Sequence, residues 1–288
     1  MKLGVVFPQT EIGNDPLVIR DYAQAAEALG YNHLLAFDHV VGGHPDRFQG
    51  QRPPPYTHES AFHEPFVLFG CLAAMTTRLE LVVGVLVLPQ RQTALVAKQA
   101  AEVQALSQGR LRLGVGIGWN FVEYETLGEN FKSRGARIEE QIEVLRRLWS
   151  QDLVDYAGKY HTLHRVGINP RPPQPIPIWM GGTADVVLRR TARLADGWFP
   201  QAAPGPELDE MLQRLRRYVR EAGRRPEDVG VEGRLSIAQT PEREWAATVG
   251  AWRAAGADYL CVNTMRAGLA SPHAHIDAIR RFKDAVEA

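Results

Sequence analysis

The chain has 288 residues, enough to bury a large core as one barrel or as two smaller domains. Its 33 basic and 33 acidic residues balance to a formal net charge of zero, which argues against nucleic acid or an anionic membrane as partner. Cys71 and Cys261 lie far apart, each in an apolar run, and read as small buried hydrophobes of a reducing compartment.

The opening "MKLGVVFPQT" carries one basic residue and an apolar run too short for a signal peptide. The longest apolar stretch, near 81–88, is far below the roughly 20 residues of a transmembrane helix, so a soluble, cytoplasmic protein is expected. Strand-like runs follow in order: "LGVVFP" (3–8), "HLLAFDH" (33–39), "LELVVGVLVLP" (79–89) and "RLRLGVGIG" (110–118). The second half adds "IPIWMGG" (176–182), "GWFPQ" (197–201), "VGVEGRLSI" (229–237) and "YLCVNT" (259–264). They are short, rich in Val, Leu and Ile, and often apolar on both faces, as buried parallel strands are.

Helix patterns lie between them. "DPLVIRDYAQAAEALG" (15–30) has a capping Asp15 or Asn14, Pro16 in its first turn and Gly30 as its stop. "TALVAKQAAEVQALSQG" (93–109) ends at Gly109 in the same way, and segments 137–149, 184–197, 207–223, 241–256 and 273–288 are amphipathic at a 3.6-residue period. Eight strands, each followed by a helix, predict a single α/β domain over 1–288, a (β/α)8 TIM barrel. A doubly wound open sheet is the alternative on pattern alone. Two insertions interrupt the repeat: a Pro-, Gly- and polar-rich loop at 42–63, of a length that is usually functional, and a segment near 151–175 that predicts a hairpin turning at Ala157-Gly158.

In a barrel the chemistry sits at the C-terminal ends of the strands. There stand Pro8-Gln9, Asp38-His39, Gly84 with Pro89-Gln90-Arg91, Gly116 to Asn120 and Met180-Gly181-Gly182-Thr183, then Gln201, Ser236 and Asn263-Thr264. His39, with the Asp38 carboxylate beside it, has the chemistry to exchange a proton near neutral pH; a structural histidine is the bland reading. "MGGTADVV" sets two glycines and a Thr at a helix start, where backbone N–H groups suit a phosphate, although glycines after a strand also serve as a plain turn. "GVGIGW" only begins a dinucleotide fingerprint: Trp119 follows Gly118, and no acidic residue closes a strand about 20 positions on. Its alternate glycines are expected to leave room for a flat ligand.

Other constellations fail. His58, Glu59, His63 and Glu64 lack metal-site spacing, so no metal is expected. No nucleophile elbow and no Walker loop occurs, and Arg214, Arg216 and Arg217 have acidic neighbours on a helix, which reads as a solvated face.

"AFDH", "VGVLVLPQRQTALVAKQAAEVQALSQGRLRLGVGIGW" and "PIWMGGTADVVLRRTARLADGW" resemble the luciferase-like monooxygenase family, above all its F420-dependent branch. The likeness runs from Leu3 to about Gly197. It implies a (β/α)8 barrel with insertions, a homodimer, and FMN or the deazaflavin F420 bound at the strands' C-terminal face. It further implies that His39 is the catalytic histidine by the flavin's reactive face, with Asp38 beside it, and that Gly84-Val85 is a cis peptide supporting the ring. Gly181, Gly182 and Thr183 match the phosphate turn, and Gly118 falls where the cofactor passes. Only five of the 33 basic residues are Lys, the codon signature of a GC-rich genome; with the resemblance, that favours F420, with FMN as the alternative.

One position departs. Sugar-phosphate dehydrogenases of that branch place a Glu general acid where this chain has Trp119, so their substrate chemistry is not expected here; Glu123, a helical turn later, is a candidate substitute, with a surface or capping residue as the favoured reading. The reaction implied is hydride transfer between F420 and a small organic substrate, or oxygen insertion with FMN. A redox-free barrel acting on sugar phosphates would need a strand-end Lys, which is lacking, and a non-catalytic flavin-binding protein is the remaining rival. The loop at 42–63 is expected to cover the pocket, and its aromatic and proline content hints at a moderately apolar ligand.

Overall fold

The computed structural model describes residues 1–50 and 53–287. Gln51 and Arg52, in the loop at 42–63, lie outside the described residues.

Eight parallel strands close on themselves. They are β1 (Lys2–Val6), β2 (His33–Ala36), β3 (Glu80–Val87), β4 (Leu111–Gly116), β7 (Ile178–Gly181), β8 (Gly197–Phe199), β9 (Gly230–Ser236) and β10 (Tyr259–Asn263). Because β1 pairs with both β2 and β10, no edge is left, and the open-sheet alternative is excluded. The remaining pair, β5 (Val154–Ala157) and β6 (Thr162–Val166), is a separate antiparallel hairpin inside the segment at 151–175.

Around the barrel run α1 (Pro16–Ala28), α2 (Pro65–Met75), α3 (Thr93–Leu106), the short α4 (Phe121–Thr126), α5 (Arg134–Ser150), α6 (Asp185–Leu194), α7 (Pro206–Glu221), α8 (Trp245–Ala254) and α9 (Pro272–Glu287). The Asp15 carboxylate caps α1 by accepting from the Leu17 N–H at 2.8 Å, and Gly30 stops it at φ +77°. The helix after β2 is the one the periodicity missed. "PFVLFGCLAAM" has no polar stripe to read, yet Glu64 caps it through the Val67 N–H at 2.8 Å, and Phe69 and Leu72 are fully buried. Each such side chain contributes about 1.5–3 kcal/mol. Cys71, on the opposite face of this helix, is exposed, contrary to the expectation that both cysteines are buried.

The strands are apolar on both faces for two different reasons. Val5, Leu34, Leu81, Leu113, Ile178 and Leu260 pack outward into the main core with the helices, whereas Val6, Leu35, Val82, Trp179, Phe199 and Cys261 form a second cluster within the lumen. The lumen is therefore filled, and a site has room only above it.

Candidate active site at the barrel mouth

The lumen beneath the mouth holds a closed ion layer. Arg112 donates to Glu232 at 2.6 Å and to Glu80 at 3.0 Å, between the rings of Tyr259 and Trp179 at 4.2 and 4.4 Å. The other Glu232 oxygen lies 2.8 Å from His33 Nε2, which Cys261 Sγ approaches at 3.1 Å. Burial alone pushes Glu232 up, but the charges of His33 and Arg112 outweigh it and hold the carboxyl at about 2. Burial, together with the Glu232 charge, pushes the Cys261 thiol up. His33, Glu232 and Cys261 bring three possible metal ligands within 4.8 Å of one another, yet Arg112 already supplies the cation this carboxylate needs. The group reads as structural.

At the end of β2 the chain presents Asp38 and His39 to opposite tasks. The Asp38 carboxylate is wholly buried and accepts from the Val87 N–H at 2.8 Å and from Arg91 at 2.7 Å. Arg91 in turn reaches Glu64, the cap of α2, at 3.0 Å. Expected among the cofactor ligands, Asp38 instead has both oxygens held by protein donors and positions the end of β3. His39 points the other way, into a cavity of about 610 Å³ that it lines with Phe37, Tyr56, Phe62, Arg234 and Asn263, among others. Gln9, wholly buried, fixes this turn by accepting from the Phe37 N–H at 2.6 Å while its amide donates to the Phe37 and His63 carbonyls at 3.1 and 3.3 Å.

Glu123 corrects the sequence reading most. It is 1% exposed rather than on the surface, and its Oε2 lies 3.3 Å from His39 Nδ1. Its other oxygen accepts from the Val40 and Val41 N–H groups at 2.6 and 3.3 Å, and the Tyr56 hydroxyl donates to Oε2 at 3.1 Å. Asn120, which caps α4, donates to the same hydroxyl at 2.8 Å. Burial and the neighbouring Glu123 charge push the Tyr56 phenol far up, so it is a hydrogen-bond donor throughout the working range. A carboxylate at Nδ1 leaves Nε2 of His39 free to face the cavity. The loop at 42–63 folds its aromatic residues over this group: Tyr56 lies against the His39 ring at 3.8 Å and Phe62 meets it edge-on at 4.7 Å. Trp119, 42% exposed, sits against Tyr56 and Phe48 on the rim.

The glycines of "GVGIG" have a different occupant from the one expected. A Cβ on Gly116 would lie 2.6 Å from Cγ2 of Val85, one on Gly118 2.6 Å from Val87, and one on Gly114 2.7 Å from the Phe199 ring. Gly181 faces Val85 from the other flank, at 3.0 Å. The Gly84–Val85 peptide is cis, and the β3–β4 register shifts between Val83 and Leu86. The space opened at Gly116 and Gly118 is thus filled from β3, with Val85 between Gly116 and Gly181.

Past β7, Gly182 has φ +129°, and its carbonyl accepts from the Trp198 indole N–H at 2.8 Å. Thr183 is exposed beside it, and α6 begins with no side chain capping its N-terminus. Uncapped N–H groups behind a Gly-Gly-Thr turn form a seat that fits a phosphate. Of the residues expected to contact a cofactor, only His39 lines the 610 Å³ cavity. Sequence reasoning placed Gln9 at a strand end without a role and passed over Tyr56 and Arg234. The signal for Arg234 was the polar alternation of "VEGRLS", which sets Glu232, Arg234 and Ser236 on one face of a strand.

The sequence profile of the luciferase-like monooxygenases matches residues 1–285. An uncharacterized protein of Mycobacterium tuberculosis is 41% identical over 210 residues, 70% of this chain and 71% of that protein. The F420-dependent glucose-6-phosphate dehydrogenase of Amycolatopsis mediterranei is 30% identical over 253 residues, 84% of this chain and 71% of its own. Among solved structures, an F420-dependent secondary alcohol dehydrogenase in complex with an F420-acetone adduct superposes with a TM-score of 0.78 at 18% identity, covering 99% of this chain and 98% of that one.

Proposed function

The chain belongs to the luciferase-like monooxygenase family, and from that premise we propose that it is an F420-dependent oxidoreductase acting on a small organic substrate at the barrel mouth. The observation that carries the reading is His39, held at Nδ1 by the buried Glu123 and lining the cavity. The cofactor, once bound, supplies hydride chemistry. Gly182, Thr183 and the uncapped start of α6 would hold its phosphate. Val85 on its bulge would support the ring, and His39 would hold or move a proton at Nε2. Tyr56, Phe62 and Trp119 would keep water from the reacting faces.

Glucose-6-phosphate, the substrate named for the Amycolatopsis relative, suits this mouth poorly, because Trp119 stands at the rim where the resemblance puts a Glu.

Two further features support finer readings. The helix α2 is apolar all round and leaves Val67 72% exposed, which favours a homodimer packed through this face. No described helix is long and apolar enough to cross a membrane, and Cys71 and Cys261 are unpaired, which fits a reducing cytoplasm.

The test is a titration of the purified protein with F420 and with FMN, followed by cofactor fluorescence. F420 is expected to bind and to turn over with a substrate in a His39-dependent manner. FMN binding with oxygen consumption selects the monooxygenase reading, binding without turnover a flavin-carrying protein, and binding of neither rejects the proposal.

A further inference from the structure

The strand β9 sends alternate side chains into the lumen: Glu232, Arg234 and Ser236. Glu232 is bonded on both oxygens within the ion layer. Arg234, one inward position higher and paired in register with Cys261, makes no hydrogen bond and no ion pair among the described residues. The Phe37 ring lies 5.3 Å from the guanidinium, and Glu232 in the layer below acts on it through charge alone. The side chain is exposed to the open cavity, so its donors are accessible to a ligand.

The cavity around it has one sign of charge. Arg234 and Arg266 line it, and no Asp or Glu does among the described residues, in a chain with as many acids as bases. Arg266 is already engaged: its guanidinium donates to the Pro55 carbonyl and its backbone N–H to Glu11. Arg234 is therefore the lining cation whose guanidinium has no hydrogen-bond partner among the described residues. A single guanidinium presents a planar fork of donors, and its one positive charge balances one carboxylate, whereas a phosphate group carries about 1.5 to 2 negative charges. Ser236 and Asn263 add neutral donors beside it, and the walls formed by Phe37, Tyr56 and Phe62 suit an apolar body.

We infer that Arg234 is the specificity-determining residue of the substrate subsite, and that it selects a small carboxylic acid with an apolar body. The inference rests on reading this mouth as the substrate site, and Arg234 acts by binding the acid group, with no part in the redox step.

Calorimetric titration of the protein alone and loaded with F420 tests this, using benzoate and phenylacetate as probes, their amides as neutral matches and inorganic phosphate as control. The acids are expected to bind about 10- to 100-fold tighter than the amides. In Arg234→Met that preference falls to near one, Arg234→Lys restores part of it, and F420 affinity stays within about threefold. Because Arg234 bonds to nothing else in the protein, Arg234→Met is expected to melt with the wild type. Equal binding of acids and amides by the wild type overturns the inference. So does a loss of F420 affinity in Arg234→Met, which would assign the guanidinium to the cofactor, or a stronger, Arg234-dependent binding of phosphate. If neither F420 nor FMN binds, the functional proposal fails while the acid–amide comparison on the protein alone still decides the role of Arg234.

Discussion

Glu123 Oε2 meets His39 Nδ1 at 3.3 Å across 84 positions of sequence, and the same carboxylate gathers the Val40 and Val41 N–H groups and the Tyr56 hydroxyl. One buried acid thus fixes the imidazole, the backbone that carries it and the loop that covers it. Replacing His39 by Ala is expected to lower kcat by about 10²–10⁴-fold, the usual worth of a positioned acid–base group. Glu123→Gln keeps the size but weakens the hold on Nδ1, so it should lower kcat at least about tenfold with little change in KM. Steady-state kinetics separate the two: a Glu123→Gln enzyme with unchanged kcat would show that His39 needs no orientation.

The contact between Gly116 and Val85 predicts a rescue. Gly116→Ala places a methyl carbon 2.6 Å from Val85 Cγ2 and is expected to cost about 1–3 kcal/mol by overpacking, with weaker F420 binding. Adding Val85→Ala frees the space and should restore the melting temperature. Thermal melts of the single and double variants check this, and additivity of the two changes would remove Val85 from the account.

Acid should act through the lumen layer. Glu232 is held at about 2 in the folded protein, against an ordinary glutamate value of about 4.3 in the unfolded chain. Its contribution is fully present above the unfolded value and is lost as pH falls from about 4 toward 2. Glu232→Gln, which leaves Arg112 with Glu80 alone, is expected to cost roughly 3–5 kcal/mol at pH 7. Urea unfolding at several pH values should show the gap between wild type and variant narrowing below about pH 4; a constant gap would contradict this linkage.

Asp38 predicts a different phenotype from His39. Asp38→Asn weakens charged hydrogen bonds to Arg91 and Val87 and is expected to destabilise by about 1.5–3 kcal/mol. Because the carboxylate faces β3 rather than the cavity, the proton-transfer chemistry should persist once the protein is kept folded at low temperature. Loss of kcat matching that of His39→Ala would place Asp38 in the chemistry instead.

Much of this molecule was legible in its residues. The double-faced apolar runs and the caps at Asp15 and Gly30 are local facts, carried within one strand or one helix, and they lead to an eight-stranded barrel with His39 at its mouth. The helix α2 was invisible because an apolar segment has no period to display. The burial of Glu123 was hidden because its four donors come from segments far up the chain.

By itself, then, the sequence determined the class of fold and the strand ends where chemistry sits, since both follow from side-chain period and turn residues. Only the closed barrel decided what those residues meet. Closure sets β3 against β4, so Gly114 meets the Val83 carbonyl, Gly116 meets Val85 and Gly118 meets Val87, with Phe199 of β8 also against Gly114. It brings Arg112 to Glu232 across 120 positions and leaves Arg234, one layer higher, without an acid. Pairing across a lumen is set by register and curvature, which no local pattern encodes.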